Sequence, residues 1–284
     1  MINTLPLSRT RLPAALCGLG LLLLGACSGS GPATREEAKI AAAQETPVEV
    51  IYNQGLDEVA AAEYDDAAFT FDLVERQYPY SVWATKAQLM AVFSYYMTNE
   101  YELAIGAADR FIRLHPGSPD AAYAYYMIAV SHYEQITDIG RDQGRTIKAL
   151  DALEELIRRY PKSAYAQDAQ AKLALTRDHL AGKEMEIGRY YLQRDHYVAA
   201  INRFRKVVRD YQTTSHTPEA LYRLTECYLL LGVTDEAQAT AAVLGHNFPN
   251  SVWYRDSYSL LSGQQLAPQA SDESWISSIW NAVF

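Results

Sequence analysis

Histidine, cysteine and paired carboxylates are the residues that could give this chain catalytic or metal-binding chemistry. The six histidines are scattered and none has an H-E-x-x-H or similar metal spacing: His115, His132, His179, His196, His216 and His246. The sequence has no Gly-x-Ser-x-Gly elbow and no Walker A loop, and Glu154 and Glu155 lie opposite the apolar side of a predicted helix. The sequence therefore predicts a protein that is not an enzyme and that needs no metal or other cofactor.

One cysteine has a spacing that predicts chemistry. An apolar run from Leu12 to Leu24 follows Arg9 and Arg11, is too short for a convincing membrane span, and leads into Leu24-Gly25-Ala26-Cys27. A leucine three residues before a cysteine resembles the bacterial lipobox, in which the cysteine is lipidated and becomes the mature N-terminus. An ordinary secretory signal with a coincidental cysteine is the alternative. We predict a lipoprotein signal peptide over 1–26 and covalent lipid on Cys27. By the same resemblance, the residue after the cysteine is Ser28 and not aspartate, which favours location in the outer membrane over retention in the inner membrane.

The net charge of the chain and its other cysteines argue against nucleic-acid binding and against an intramolecular disulfide. The chain has a formal net charge of −9, and loss of the signal would remove only positive charge. An acidic protein is a poor partner for nucleic acid. If Cys17 leaves with the signal and Cys27 carries lipid, Cys227 has no partner for an intramolecular disulfide. We predict that Cys227 is a small buried apolar residue.

A repeated sequence unit runs through most of the chain and should determine its fold. An aromatic residue or threonine is followed three residues later by alanine, and twelve residues after that by proline or once by glutamine: Tyr64/Ala67/Pro79, Tyr101/Ala104/Pro116, Thr146/Ala149/Pro161, Tyr197/Ala200/Gln212 and Thr234/Ala237/Pro249. Each proline begins Pro-x-Ser, which ends one helix and offers a serine to cap the next. The units resemble tetratricopeptide (TPR) repeats, so the predicted fold is an all-α solenoid of about five helical hairpins, with insertions near 136–144 and 164–193.

The repeat pattern also divides the chain. Residues 27–46 are rich in Gly, Ala, Ser and charge and predict a flexible tether, and Thr46 with Pro47 predicts the cap of the first helix. The array is predicted over 47–262. A tail over 263–284 is predicted to hold a short amphipathic helix, which either covers the open end of the array or docks on a partner or a membrane surface.

Tyrosine is abundant, with 21 copies, and adjacent tyrosines cannot all point into the core of one helical layer. We predict that Tyr96, Tyr123 and Tyr126 line a concave surface that binds an extended peptide. Nearby arginines could pair with a terminal carboxylate of that peptide: Arg110, Arg113 and Arg141. The alternative is that these tyrosines only seal adjacent repeats together.

A basic strip is a local exception in this acidic chain. Within residues 202–209, apolar residues are predicted to face inward and cations outward, among them Arg203, Lys206 and Arg209. Such cations are either simply solvated or steer an acidic partner.

The chain resembles the BamD (ComL) family over most of its length. The resemblance rests on several runs in the second half of the array: Arg141-Asp142-Gln143, Tyr160-Pro161-Lys162-Ser163-Ala164-Tyr165-Ala166, Asn202-Arg203-Phe204, Arg209-Asp210-Tyr211 and Glu219-Ala220-Leu221. Gln212 departs from the usual proline, and the tail lies outside the matched pattern.

The resemblance implies a lipoprotein subunit of the β-barrel assembly machinery, anchored by lipid in the outer membrane and facing the periplasm. Its partners would be the POTRA domains of BamA, unfolded β-barrel outer-membrane proteins and the other lipoproteins of the machinery. N-terminal repeats would receive substrate, and Arg203 would lie near the surface that meets BamA. The alternative function is a periplasmic TPR lipoprotein that coordinates peptidoglycan synthesis or cell division, which should lack the Arg141-Asp142-Gln143 insertion.

Overall fold

A computed structural model describes residues 34–44 and 46–263, and this part of the chain is built from helices joined by turns and loops. The predicted all-α solenoid of helical hairpins is confirmed. The described residues form twelve helices: α1 Arg35–Ala43, α2 Val48–Ala60, α3 Tyr64–Gln77, α4 Val82–Met97, α5 Tyr101–Leu114, α6 Ala121–Glu134, α7 Gly144–Arg159, α8 Ala166–Leu192, α9 Tyr197–Asp210, α10 Thr217–Leu230, α11 Thr234–Asn247 and α12 Val252–Gly263. The predicted signal peptide, Cys27 and the residues of the tail after Gly263 lie outside the described residues.

Five antiparallel hairpins stack in sequence order: α2–α3, α4–α5, α6–α7, α8–α9 and α10–α11, with α12 packed on α10 and α11. Helices α2, α4, α6 and α8 also contact one another in turn, as do α10 and α12, whereas successive odd-numbered helices from α3 onward make no comparable contact within the described residues. We call the even-numbered helices the inner layer and α3, α5, α7, α9 and α11 the outer layer. A solenoid curves toward the layer whose helices lie closer together, so the inner layer is the concave one.

The repeated alanines lie on the outer helices at the contact with their hairpin partners. All five have no exposed surface: Ala67, Ala104, Ala149, Ala200 and Ala237. In two hairpins a phenylalanine four residues after the alanine fills the space over a glycine of the inner helix; a Cβ added at Gly55 would lie 2.7 Å from Phe71, and one at Gly188 would collide with Phe204. Small residues therefore set the distance between the two layers.

The Pro-x-Ser turns of the repeats end the preceding helices as predicted, and three of their four serine hydroxyls bind a backbone amide. The fourth serine was predicted to cap α8, but the buried hydroxyl of Ser163 has no hydrogen-bond partner among the described residues. Residues that precede the prolines leave the helical region, as Tyr78 does with φ −128° and ψ 52°. The hydroxyls of Ser81, Ser118 and Ser251 accept hydrogen bonds from backbone amides two residues later, at 3.0, 3.1 and 3.2 Å. Tyr211, before Gln212, has φ −131° and ψ 40°, so this turn keeps its shape without proline.

The prediction that 27–46 is a flexible tether is wrong for residues 35–43, which form α1. Thr34 caps this helix in a reciprocal capping box with Glu37, and the alanine-rich segment that follows has high helix propensity. Ala43 is buried against the first hairpin. The predicted cap at Thr46 is also wrong, because Pro47 is the N-cap of α2 and the Thr46 hydroxyl donates to the carbonyl of Ala42 at 2.7 Å.

Candidate functional site

Tyrosines from three successive inner helices form a continuous row on the inner layer. Tyr96 lies on α4, Tyr123 and Tyr126 lie on α6, and Tyr165 is the N-cap of α8. The Tyr126 ring stacks on that of Tyr165 with centroids 4.9 Å apart, and the Tyr123 ring lies 5.5 Å from Tyr165. All four side chains are half-buried. We call these four residues the tyrosine row.

Carboxylates accept hydrogen bonds from two hydroxyls of the row. Tyr96 donates to Glu134 at 3.3 Å, and Tyr126 donates to Asp168 at 2.9 Å. Burial, with the nearby Glu134, raises the pKa of Tyr96 to about 12, and burial raises the pKa of Tyr123 to about 12. These phenols stay neutral near neutral pH, so the row presents uncharged aromatic surface.

Asp168 stays ionised beside these rings. Burial opposes its ionisation, but hydrogen bonds from Lys172 and Tyr126 outweigh burial and hold the pKa of the carboxyl below its usual value. Because the folded-state pKa is lowered, these hydrogen bonds stabilise the fold above the unfolded-state pKa of about 4 and are lost as the pH falls through the folded-state value. Asp168 is therefore ionised at neutral pH, and the Lys172 ammonium, 2.9 Å away, partly balances its charge.

The structure does not bring two of the predicted arginines to the row. Arg110 and Arg113 lie on α5, an outer helix, and the Arg110 guanidinium pairs with Glu75 of α3 at 2.9 Å. Arg141 is exposed in the loop between α6 and α7. The spacing Tyr101/Ala104/Pro116 already marks α5 as the outer type of helix, so the phase of the repeat was a usable signal against Arg110 and Arg113.

A cavity of about 540 Å³ adjoins the row through Glu134. Its lining combines acidic, apolar and aromatic side chains with one arginine: Glu100, Tyr101, Glu102, Leu103, Ile136 and Arg145. Arg145 donates to the Gln135 Oε1 at 2.5 Å. Sequence reasoning missed Glu134, Arg145, Tyr165 and Asp168, since they approach the row only when neighbouring hairpins stack.

Two cations of the basic strip on α9 are already bound to a carboxylate of the neighbouring helix. Its apolar positions face inward as predicted, since Phe204 and its neighbours Val207 and Val208 have no exposed surface. Arg203 and Lys206, however, both bind the carboxylate of Glu184 on α8, at 3.1 and 2.6 Å. That carboxylate is buried and needs compensating charge. Both cations therefore have a partner on α8 that was not predicted, although their side chains remain 40% and 39% exposed.

Arg209 differs from these two cations. Among the residues that the structure describes, its guanidinium binds only the adjacent Asp210, and its side chain is 57% exposed. Of the three predicted docking residues, it is the one whose charge is most available to a partner.

The buried thiol and the possible metal ligands offer no reactive site among the described residues. Cys227 is fully buried, as predicted, and burial raises the pKa of its thiol to about 12. Among the described residues, no group of histidine, cysteine, aspartate and glutamate side chains is arranged to hold a metal ion. None of the helices described is long and apolar enough to cross a membrane.

Comparison with known proteins gives a consistent result. The profile of the YfiO family, described as an outer membrane lipoprotein, matches residues 44–244. A Caulobacter vibrioides protein named outer membrane protein assembly factor BamD is 47% identical, with 87% of this chain and 81% of that protein covered. Proteins of the same name are 42% identical in Rickettsia prowazekii, covering 90% of this chain and 98% of that one, and 34% identical in Neisseria meningitidis, covering 81% and 89%.

Proposed function

The chain belongs to the YfiO family of outer membrane lipoproteins, and we propose that it is a non-catalytic lipoprotein subunit of the β-barrel assembly machinery. In this role it is held in the outer membrane by lipid on Cys27 and faces the periplasm. It scaffolds BamA and receives unfolded outer-membrane proteins. Its relatives are named outer membrane protein assembly factors, which supports the general role. The partners and the two surfaces below are our assignment.

The tyrosine row is the observation that carries the substrate-binding part of this proposal. It runs over three inner helices on the concave side, and its phenols are neutral and half-buried. Rigid aromatic rings give a peptide large apolar contact at little cost in side-chain entropy. An extended segment of an unfolded barrel protein would lay its own aromatic side chains across the row.

The charges around the row refine which feature of the segment is recognised. Glu134 and Asp168 bind the hydroxyls of the row, and the adjoining cavity carries three glutamates and one arginine along its lining. A terminal carboxylate would meet net negative charge there. We therefore assign recognition to aromatic side chains and the peptide main chain, and the expected pairing of a carboxylate with Arg110 or Arg113 is dropped.

Photo-crosslinkers placed at positions 96, 123 and 126 are expected to capture unfolded barrel proteins. A peptide that ends in phenylalanine should compete. Amidation of its terminus should leave the competition unchanged within about twofold, because the charged groups bound to the hydroxyls of the row are the carboxylates of Glu134 and Asp168. Positions 110 and 113 on the outer helix α5 are the matched controls. Capture at 110 and 113 but not within the row would contradict the assignment, and dependence on the free carboxylate would contradict its chemistry.

The C-terminal hairpins are the proposed docking surface for the POTRA domains of BamA, through Arg203, Lys206 and Arg209 on α9. Arg203→Glu would test this poorly, because the new carboxylate would lie beside the buried Glu184 and disturb the contact between α8 and α9. Arg209 lies outside that ion pair and is largely exposed.

Arg209→Glu is expected to lower recovery of BamA with the chain, by weakening an attraction that is sensitive to salt. Arg113→Glu makes the same charge change on an exposed outer position of the second hairpin and should leave recovery unchanged. Co-purification at two salt concentrations measures both. Equal recovery of the two variants would remove Arg209 from the docking surface.

A further inference from the structure

Helix α1 is fixed to the first hairpin along its whole length. Arg35 in its first turn pairs with Asp66 at the start of α3, at 3.0 Å. Near its end, the carbonyl of Ile40 accepts a hydrogen bond from Gln77, the last residue of α3, at 3.4 Å. Beyond its end, the carbonyl of Thr46 accepts one from Tyr78 at 2.8 Å. These contacts make α1 run parallel to α3.

A largely buried lysine side chain holds the middle of α1. The Lys39 ammonium binds Glu58 of α2 at 2.8 Å and Asp66 of α3 at 3.0 Å, and it lies 3.4 Å from the Thr70 hydroxyl. The Lys39 side chain is only 15% exposed and that of Glu58 only 10%. Such a shared, largely desolvated cation holds the helix in place, because removing it would leave the buried carboxylate of Glu58 without a counter-charge.

The direction of α1 decides where the preceding chain leaves the array. Since α1 and α3 are parallel, Thr34 lies at the end of the hairpin where Ala61–Glu63 join α2 to α3. The opposite end, with the Tyr80 turn, is about 20 Å away, the length of a helix of 14 residues. Six residues lie between Cys27 and Thr34, and the chain from one to the other spans at most about 24 Å. The Tyr80 end could therefore touch lipid only if this segment were almost fully extended, which is entropically unfavourable.

We propose that α1 is a strut that turns the Ala61–Glu63 end of the first hairpin toward the lipid surface and the Tyr80 end away from it. The inference rests on the proposed lipidation of Cys27. Exposure alone would suggest the opposite orientation, because Tyr80 is fully exposed and Val82 is 76% exposed, and exposed aromatic and apolar side chains suit a membrane interface. In the orientation set by α1, that apolar turn is directed away from the membrane and is available to a protein.

Energy transfer to a lipid acceptor tests the orientation. The lipidated chain is placed in phospholipid vesicles with a donor dye on Ala61→Cys or on Tyr80→Cys; both positions are exposed, and Cys227 is fully buried. Transfer is expected to be at least about twofold stronger from position 61, given the 20 Å separation. Lys39→Glu, which sets a third carboxylate beside Glu58 and Asp66, should abolish the difference. Lys162→Glu makes the same charge change at an exposed turn and should preserve it.

Two failures can be told apart. A chain that carries no lipid and does not sediment with vesicles would remove the proposed anchor and the strut with it. A lipidated, vesicle-bound chain with equal transfer from both positions, or stronger transfer from position 80, would overturn the strut and leave the anchor standing.

Discussion

Replacing Cys27 by alanine is expected to remove nearly all of the protein from the outer-membrane fraction. No helix of the described residues can cross a membrane, so in our account the lipid on Cys27 is what holds the chain there. A buried methylene contributes about 0.8 kcal/mol, so several acyl chains hold far better than a single myristoyl chain. The variant should fold normally, because every described contact lies beyond residue 33.

Cys17→Ala is the matched control for this change. It removes a thiol from the same predicted signal peptide, ten residues earlier, and should leave lipidation and fractionation unchanged. Mass spectrometry of the N-terminal peptide, with membrane fractionation, measures both variants. An unlipidated Cys27→Ala protein that still sediments with membranes stripped of its partners would contradict the lipid anchor.

Phe204→Ala is expected to destabilise the array by about 3–5 kcal/mol. The Phe204 ring has no exposed surface and lies so close to Gly188 that the glycine has no room for a side chain. Truncation would leave a cavity at the contact between α8 and α9. Gly188 on α8 faces this cavity and has no side chain to fill it. The midpoint of chemical denaturation reports the loss.

Val198→Ala on the same helix provides the comparison. Val198 is 64% exposed, so its truncation should change stability by no more than about 0.5 kcal/mol. Equal shifts for the two variants would mean that the contact between Phe204 and Gly188 does not set the spacing of the two layers. The same contact recurs between Phe71 and Gly55 in the first hairpin, where a similar loss is expected.

Features that follow from local backbone chemistry could be predicted from the sequence. The Pro-x-Ser turns and the buried alanines report helix ends and close packing, and each depends on residues near in the chain. They predicted the hairpins, and the apolar periodicity of residues 202–209 predicted the inward face of α9. The turn at Gln212 has no proline, yet Tyr211 before it leaves the helical region as Tyr78 does before Pro79.

Features that depend on contacts between distant residues could not be predicted in this way. Helix α1 docks because Lys39 meets Glu58 and Asp66, which are 19 and 27 residues away. Arg203 forms an ion pair with Glu184, which lies 19 residues earlier on another helix. The partners of the tyrosine row likewise come from neighbouring hairpins. Charge patterns on one helix do not show which cations already have a partner on the next.

Isolation of the wild-type lipidated chain from outer membranes in mild detergent tests the assembly role most directly. We expect recovery of a β-barrel protein that carries POTRA domains, together with other lipoproteins of the same machinery. Recovery of proteins of peptidoglycan synthesis or cell division, without any such barrel protein, would contradict it.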